Sequence, residues 1–308
     1  MRLKDGLRRV FFGQDDVVEQ LLATVYAGGH VLLEGVPGLG KTLLAKGLAR
    51  LFDAEFQRIQ FTPDMMPADI LGTEVYQLAS QSFELRKGPV FTTILLADEI
   101  NRSPPKTQAG LLEVMEERAV SLGVQSYALP PLFTVLATQN PVEYEGTYPL
   151  PEAQVDRFMS KILLRYPSLD EELQILRAYD AGQDLHRATQ AELTPVTNPE
   201  EVLAVRRGLV GIKVAPEVLR YLGEVVRATR TSPQIQVGAS PRAAVHLLLM
   251  TKARAAMEGR EFATPDDVKA VAPAVLRHRL LLTPEAQVAA ETPDRVLART
   301  LGQVEVPR

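Results

Sequence analysis

The stretch GVPGLGKT, Gly35 to Thr42, limits what this chain can fold into more than any other feature of it. It fits G-x-x-x-x-G-K-[ST] and stands between an apolar run, HVLLE at 30 to 34, and a segment with helical apolar spacing, KTLLAKGLARLF at 41 to 52. Strand, glycine turn and helix in that order aim backbone N–H groups and the positive end of a helix dipole at an anion. In this reading Gly35, Val36, Pro37, Gly38, Leu39 and Gly40 wrap the phosphates of a nucleotide. Lys41 brings positive charge to the β and γ oxygens, and Thr42 offers a hydroxyl to Mg²⁺.

A second element turns a binding loop into a hydrolytic one. ILLADEIN ends an apolar run with Asp98 and Glu99. The first carboxylate can hold the Mg²⁺ water shell, while the second, at the strand's carboxyl edge, can polarise a water facing the γ-phosphate. No N-K-x-D stretch of the kind that reads guanine occurs in the chain, so adenine is favoured and ATP is the expected nucleotide.

These motifs sit in an alternating pattern. HVLLE (30 to 34), EFQRIQF (55 to 61), TTILLAD (92 to 98), LFTVLATQ (132 to 139) and KILLRY (161 to 166) read as strands, several of them apolar at nearly every position as buried parallel strands are. The segments at 41 to 52 and 106 to 120 carry helical spacing between them. That is an α/β pattern, with helices covering a parallel sheet. After 166 to 168 strand signals give way to helical ones: a helix ending at Gly182, one starting at Ser240 and Pro241, and TPDDVKAV with Thr264 at a cap and Asp267 three residues on. The expected division is a nucleotide-binding core at 1 to 167 and a smaller, all-helical domain at 168 to 308.

Composition narrows the function further. With 34 basic and 38 acidic residues the net charge is −4, which argues against a surface that coats nucleic acid or anionic lipid. There is no cysteine, and His30, His186, His246 and His278 have no ligand spacing, so thiolate or histidine metal chemistry is not expected. MRLKDGLRRV lacks an apolar signal core and runs such as ILLA at 94 to 97 are far too short to span a bilayer, so a cytoplasmic location without membrane insertion is expected.

Taken in order, GPVFTTILLADEINRSPPKTQAGLLEVMEE, LATQNP and EGTYPLPEAQVDRF resemble the MoxR family of AAA+ ATPases, closely over most of residues 10 to 167 and more loosely through GASPRA in the helical part. The resemblance implies a five-stranded core in the order 5-1-4-3-2, a helical lid, and a homo-oligomeric ring, commonly of six. It implies a chaperone-like use of ATP hydrolysis in remodelling, maturation or cofactor and metal insertion of protein clients, together with a partner bearing a von Willebrand factor A-like domain. Carried over by position, Gly13 and Gln14 resemble the segment that approaches adenine, a capping turn being the alternative; Asn140 resembles the polar sensor that orients the attacking water. Arg242 resembles the lid arginine that contacts the γ-phosphate. Arg157 resembles an arginine finger supplied to the neighbouring subunit, with an intramolecular ion pair as the alternative and Arg102 as a rival. The segments at 70 to 88 and 119 to 130 resemble the family's two hairpin inserts, the second alternating Val120, Leu122 and Val124 about Gly123. A DNA-acting AAA+ motor shares this core, but no helix-turn-helix or basic arm follows the lid. A nucleotide-gated scaffold with little turnover is the other alternative, against which the Asp98–Glu99 pair weighs.

Overall fold

The computed structural model describes residues 2–78, 81–123, 125–141, 146–184 and 193–307. Ala79 and Ser80 of the first expected insert, Val124 of the second, Glu145 and His186 lie outside the described residues.

In chain order the first part runs α1 (Arg2–Arg8), α2 (Asp15–Ala27), β1 (Val31–Glu34), α3 (Lys41–Leu51), β2 (Phe56–Gln60), α4 (Pro67–Leu71), β3 (Gly72–Gln77) and β4 (Ser82–Lys87). There follow β5 (Ile94–Asp98), α5 (Pro105–Glu117), β6 (Ala119–Leu122), β7 (Gln125–Ala128), β8 (Thr134–Gln139), α6 (Glu152–Val155), β9 (Ser160–Leu163) and α7 (Leu169–Asp180). One sheet has the order β2-β5-β8-β1-β9, with parallel pairing of β2 with β5, β5 with β8 and β8 with β1. Counting only these five strands along the chain, this is the expected 5-1-4-3-2. The interior strand β5 is buried at every residue, which is why its sequence is apolar up to Asp98 rather than alternating. Strand β2 lies at the edge, and there only Ile59 is buried.

Both inserts are antiparallel hairpins. β3 and β4 set Tyr76 opposite Phe83, with their rings edge to face at 5.2 Å, and β6 pairs with β7 from Ala119 opposite Ala128. The Tyr127 hydroxyl donates to Glu74 Oε1 at 3.1 Å and so ties one hairpin to the other. Helix α5 is shorter than the spacing over 106 to 120 suggests. It stops at Glu117 because Arg118 turns into the left-handed region, φ 52°, and Ala119 opens β6.

The remaining elements are α8 (Pro199–Gly208), α9 (Pro216–Thr231), β10 (Ile235–Val237), α10 (Pro241–Met257), α11 (Pro265–Leu276), β11 (Leu281–Leu282), α12 (Pro284–Val288) and α13 (Pro293–Gln303). By contacts the chain forms two compact units, the first comprising Met1–Val18, His30–Arg157 and Leu163–Leu203, the second Glu19–Gly29, Phe158–Ile162 and Ala204–Arg308. Residues Leu163–Leu203, which include α7, group with the first unit: Arg50 Nε donates to Leu193 O at 2.9 Å, and the backbone N–H of Val196 reaches Leu51 O at 3.0 Å.

The second unit is mainly helical, and within it β10 and β11 form a short antiparallel pair, too brief to leave an alternating pattern in the sequence. Its core is made by residues at helical spacing, Val218, Tyr221, Leu222, Val225 and Val226 of α9 with Leu247, Met250, Val268, Val271 and Val275. The expected caps form. Ser240 Oγ accepts from the Ala243 N–H, and Thr264 and Asp267 make a reciprocal capping box in which the Thr264 N–H donates to Asp267 Oδ2 at 2.8 Å.

Candidate active site

All the residues that line the cavity around the glycine turn come from the first unit. β1 delivers the chain into the glycine turn, where Gly38 (φ 87°) and Gly40 (φ 78°) occupy the left-handed region that a residue with a Cβ enters only at a cost. Gly40 stands at the N-cap of α3 and provides no side-chain cap, and the first turn of the helix holds no acid. The N–H groups at this end therefore point at whatever anion enters, with Lys41 as the first helical residue. Lys41 Nζ donates to Gly35 O at 2.6 Å, which lays the side chain back over the turn. Pro37 to Leu43 line a cavity of about 620 Å³ together with Phe11, Phe12, Gln14, Arg58, Asp98, Glu99, Tyr166, Glu172 and Tyr179.

Two carboxylates that line the same cavity stand at the end of β5 in different states. Asp98 is nearly buried, and its Oδ1 accepts from the Thr138 hydroxyl at 2.6 Å. Its Oδ2 accepts from Arg58 through Nη2 at 2.7 Å and Nε at 3.1 Å. Glu99 takes φ 56°, ψ 50°, a conformation that costs a non-glycine residue about 1–3 kcal/mol and persists only when its surroundings hold it. Thr138 is one such hold, because its Oγ1 accepts from the Glu99 N–H at 2.8 Å. The Glu99 Oε2 accepts from Gln60 Nε2 at 2.6 Å and pairs with Arg102 Nε at 3.0 Å. A fully buried hydroxyl on β8 thus fixes one carboxylate and the backbone of the next.

The other residues singled out from the sequence distribute as follows. Gln14 lines the cavity and also makes the turn before α2, its backbone carbonyl accepting from Val17 N at 2.9 Å and its Oε1 from Arg165 N at 2.9 Å. Asn140 is buried just past β8 and is not among the residues lining this cavity. Arg157 faces a second cavity of about 570 Å³ with Glu113, Glu117 and Gln154, and its Nε pairs with Glu116 Oε2 at 3.1 Å. Arg102 is held against Glu99 of its own chain. Arg242 lies exposed in the first turn of α10, in the second unit. Among the described residues no group of three or more His, Cys, Asp or Glu is arranged to hold a metal by itself, and no helix is long and apolar enough to cross a membrane.

Sequence reasoning missed Arg58, Gln60 and Thr138. The signal for the first two was present: in EFQRIQF they stand two apart, hence on one face of an edge strand. The register that sets Gln60 beside Asp98 was not.

A glycine loop opening a helix, an acid pair ending an interior strand of the same sheet and a sheet in this order define a P-loop nucleotide-binding ATPase core of the AAA+ type. The description "ATPase family associated with various cellular activities (AAA)" matches residues 30–160, and "AAA lid domain" matches residues 227–300. The chain is 42% identical to the chaperone MoxR1 of Mycobacterium tuberculosis over 98% of its own length and 81% of that protein's. It is also 42% identical to the uncharacterized protein YeaC of Bacillus subtilis, over 98% of this chain and 93% of that one. A crystal structure of a candidate ATPase from Cytophaga hutchinsonii superimposes with a TM-score of 0.90 at 40% identity, covering 100% of this chain and 94% of the other. The chain belongs to the MoxR family of AAA+ ATPases, and ATP hydrolysis is its activity.

Proposed function

We propose that this ATPase works with Mg²⁺ as a homo-oligomeric ring, of six subunits, and spends ATP hydrolysis on remodelling, maturation or cofactor insertion of cytoplasmic protein clients, alongside a partner with a von Willebrand factor A-like domain. The observation that carries the catalytic part is the shared cavity of the Gly38–Thr42 loop and the Asp98–Glu99 pair. The chaperone name of the MoxR1 relative supports the client part.

The donor set fits Mg²⁺: a threonine hydroxyl and a carboxylate are hard oxygen ligands of the kind this ion takes alongside nucleotide phosphates. When bound, the ion would offset the negative charge of the phosphates. Thr42 and Asp98 would hold it. The loop N–H groups and Lys41 bind the phosphates, Glu99 orients and polarises the attacking water, and Asn140 assists from the end of β8. Gln14 bounds the adenine side and Arg242 answers the γ-phosphate from the lid. Arg157 serves the neighbouring subunit's nucleotide; its pair with Glu116 does not oppose this, because side chains 29% and 40% exposed form an ion pair worth about 1 kcal/mol or less.

The test separates binding from chemistry. Lys41→Ala is expected to lose nucleotide affinity, whereas Glu99→Gln binds ATP and hydrolyses it at a small fraction of the normal rate. Normal turnover by Glu99→Gln would refute the assignment of the catalytic carboxylate. The same variant, held in its ATP state, is the bait for clients.

A further inference from the structure

Arg58 and Gln60 project from one face of the edge strand β2, whose register sets Arg58 opposite Leu96 and Gln60 opposite Asp98. The Arg58 guanidinium bridges two groups: Nη2 donates to Asp98 Oδ2 at 2.7 Å and to Gln60 Oε1 at 2.8 Å, while Nε makes a second contact with Oδ2 at 3.1 Å. Gln60 in turn donates to Glu99 Oε2 at 2.6 Å. A continuous chain of charge-assisted bonds therefore runs from the carboxylate assigned to the metal to the carboxylate assigned to the water.

The two oxygens of Asp98 are not equivalent. Oδ1 is fixed by Thr138, which is fully buried on a central strand. Oδ2 is held by a side chain that is 45% exposed and lines the cavity. A divalent cation recruited by Asp98 meets a guanidinium already on the accessible oxygen, and the two repel. We infer that Arg58 is a positioning residue that competes with the divalent cation for Asp98 Oδ2. This rests on the proposed nucleotide and Mg²⁺ reading of the cavity.

The test is a Mg²⁺ titration of the binding of a fluorescent N-methylanthraniloyl derivative of ATP to the full chain, read without turnover. Arg58→Gln should lower the Mg²⁺ concentration at half-saturation by about three- to tenfold, the range that a partly exposed charge-assisted pair supplies. A purely structural brace would change the melting temperature and leave this midpoint where it was. The shift should persist between about 0.05 and 0.5 M KCl, since a direct contact on a buried carboxylate is screened far less than an exposed field. An unchanged or raised midpoint, or a shift that vanishes at the higher salt, overturns the inference. Arg58→Met carries the same comparison if the glutamine variant does not fold. If the wild-type chain binds the analogue with no dependence on Mg²⁺, the underlying reading of the cavity falls and this inference with it; a Mg²⁺-dependent wild type beside a silent variant overturns the role of Arg58 alone.

Discussion

Thr138→Val is the most exacting perturbation of this site, because it removes one oxygen and keeps the side chain's shape. That oxygen donates to Asp98 Oδ1 at 2.6 Å and accepts from the Glu99 N–H at 2.8 Å, in a residue with no exposed surface. Without it a carboxylate oxygen and a backbone N–H lose a partner where water has poor access. Leaving a buried polar group unsatisfied costs about 1–3 kcal/mol each, and partial relaxation reduces the sum, so a net loss of about 2–4 kcal/mol in the first unit is expected. The second consequence is local. Glu99 holds a left-handed backbone against a cost of about 1–3 kcal/mol, and without the Thr138 contact it moves toward an ordinary conformation, carrying its carboxylate off line. A displacement on the scale of 1 Å lowers turnover by about 10²-fold. KM for ATP should change little, since the Lys41 loop is untouched. Urea unfolding followed by tyrosine fluorescence and steady-state phosphate release measure the two effects, with Thr138→Ser, which keeps the hydroxyl, restoring most of both. Wild-type stability to within about 0.5 kcal/mol together with wild-type turnover would refute the reasoning, since an unsatisfied buried pair cannot cost so little.

Two further outcomes are expected. Burial, and then the neighbouring Arg279 charge, hold His278 well below the ordinary histidine value of 6.5. The unfolded chain gains this proton as pH falls below 6.5 and the folded chain does not, so the contribution is complete above that value and declines below it, by up to about 1.4 kcal/mol per pH unit. Thermal melts from neutral pH downward should show it, and His278→Asn should flatten the acid limb. Arg157→Ala should bind ATP almost normally and hydrolyse it about 10³ to 10⁵ times more slowly, and mixing it with Lys41→Ala should restore part of the activity. Absence of rescue in assemblies shown to be mixed would count against a role in trans; the same mixture with Arg102→Ala tests the rival arginine.

What the sequence disclosed depended on how local the signal was. β1, β5 and β8 were legible because a strand buried on both faces carries a continuous apolar run instead of alternating, and the phosphate loop because glycine at fixed spacing has few other uses beside a strand and a helix. The end of α5 was not legible, since Arg118 is a residue type with no preference for the left-handed turn it makes. Arg58 and Gln60 were visible as polar residues on an edge strand, but their partners lie about forty positions away and are chosen by the register of β2 on β5. The part of α7 that reaches the cavity, Glu172 and Tyr179, was hidden for the same reason: helical spacing says which residues share a face and nothing about what that face meets.

The tripeptide Asp156-Arg157-Phe158 shows how far a local reading can mislead about what is fixed. Adjacent in sequence, Arg157 belongs to the first unit and Phe158 to the second. Phe158 is fully buried, its carbonyl accepts from Arg279 Nη2 at 2.7 Å, and His278 Nε2 lies 3.1 Å from the same oxygen. Arg279 also donates to Met159 O at 3.2 Å and to Val275 O. Undoing this arrangement would strand a buried guanidinium and several carbonyls, at a cost of about 3–5 kcal/mol, whereas the exposed pair of Arg157 with Glu116 costs about 1 kcal/mol or less to break. The backbone beside Arg157 is therefore anchored firmly and its side chain weakly. The proposed role in trans, in which Arg157 would exchange an acid of its own chain for a phosphate of another, calls for that division, because the base of the side chain would stay in place while its charged end changed partner.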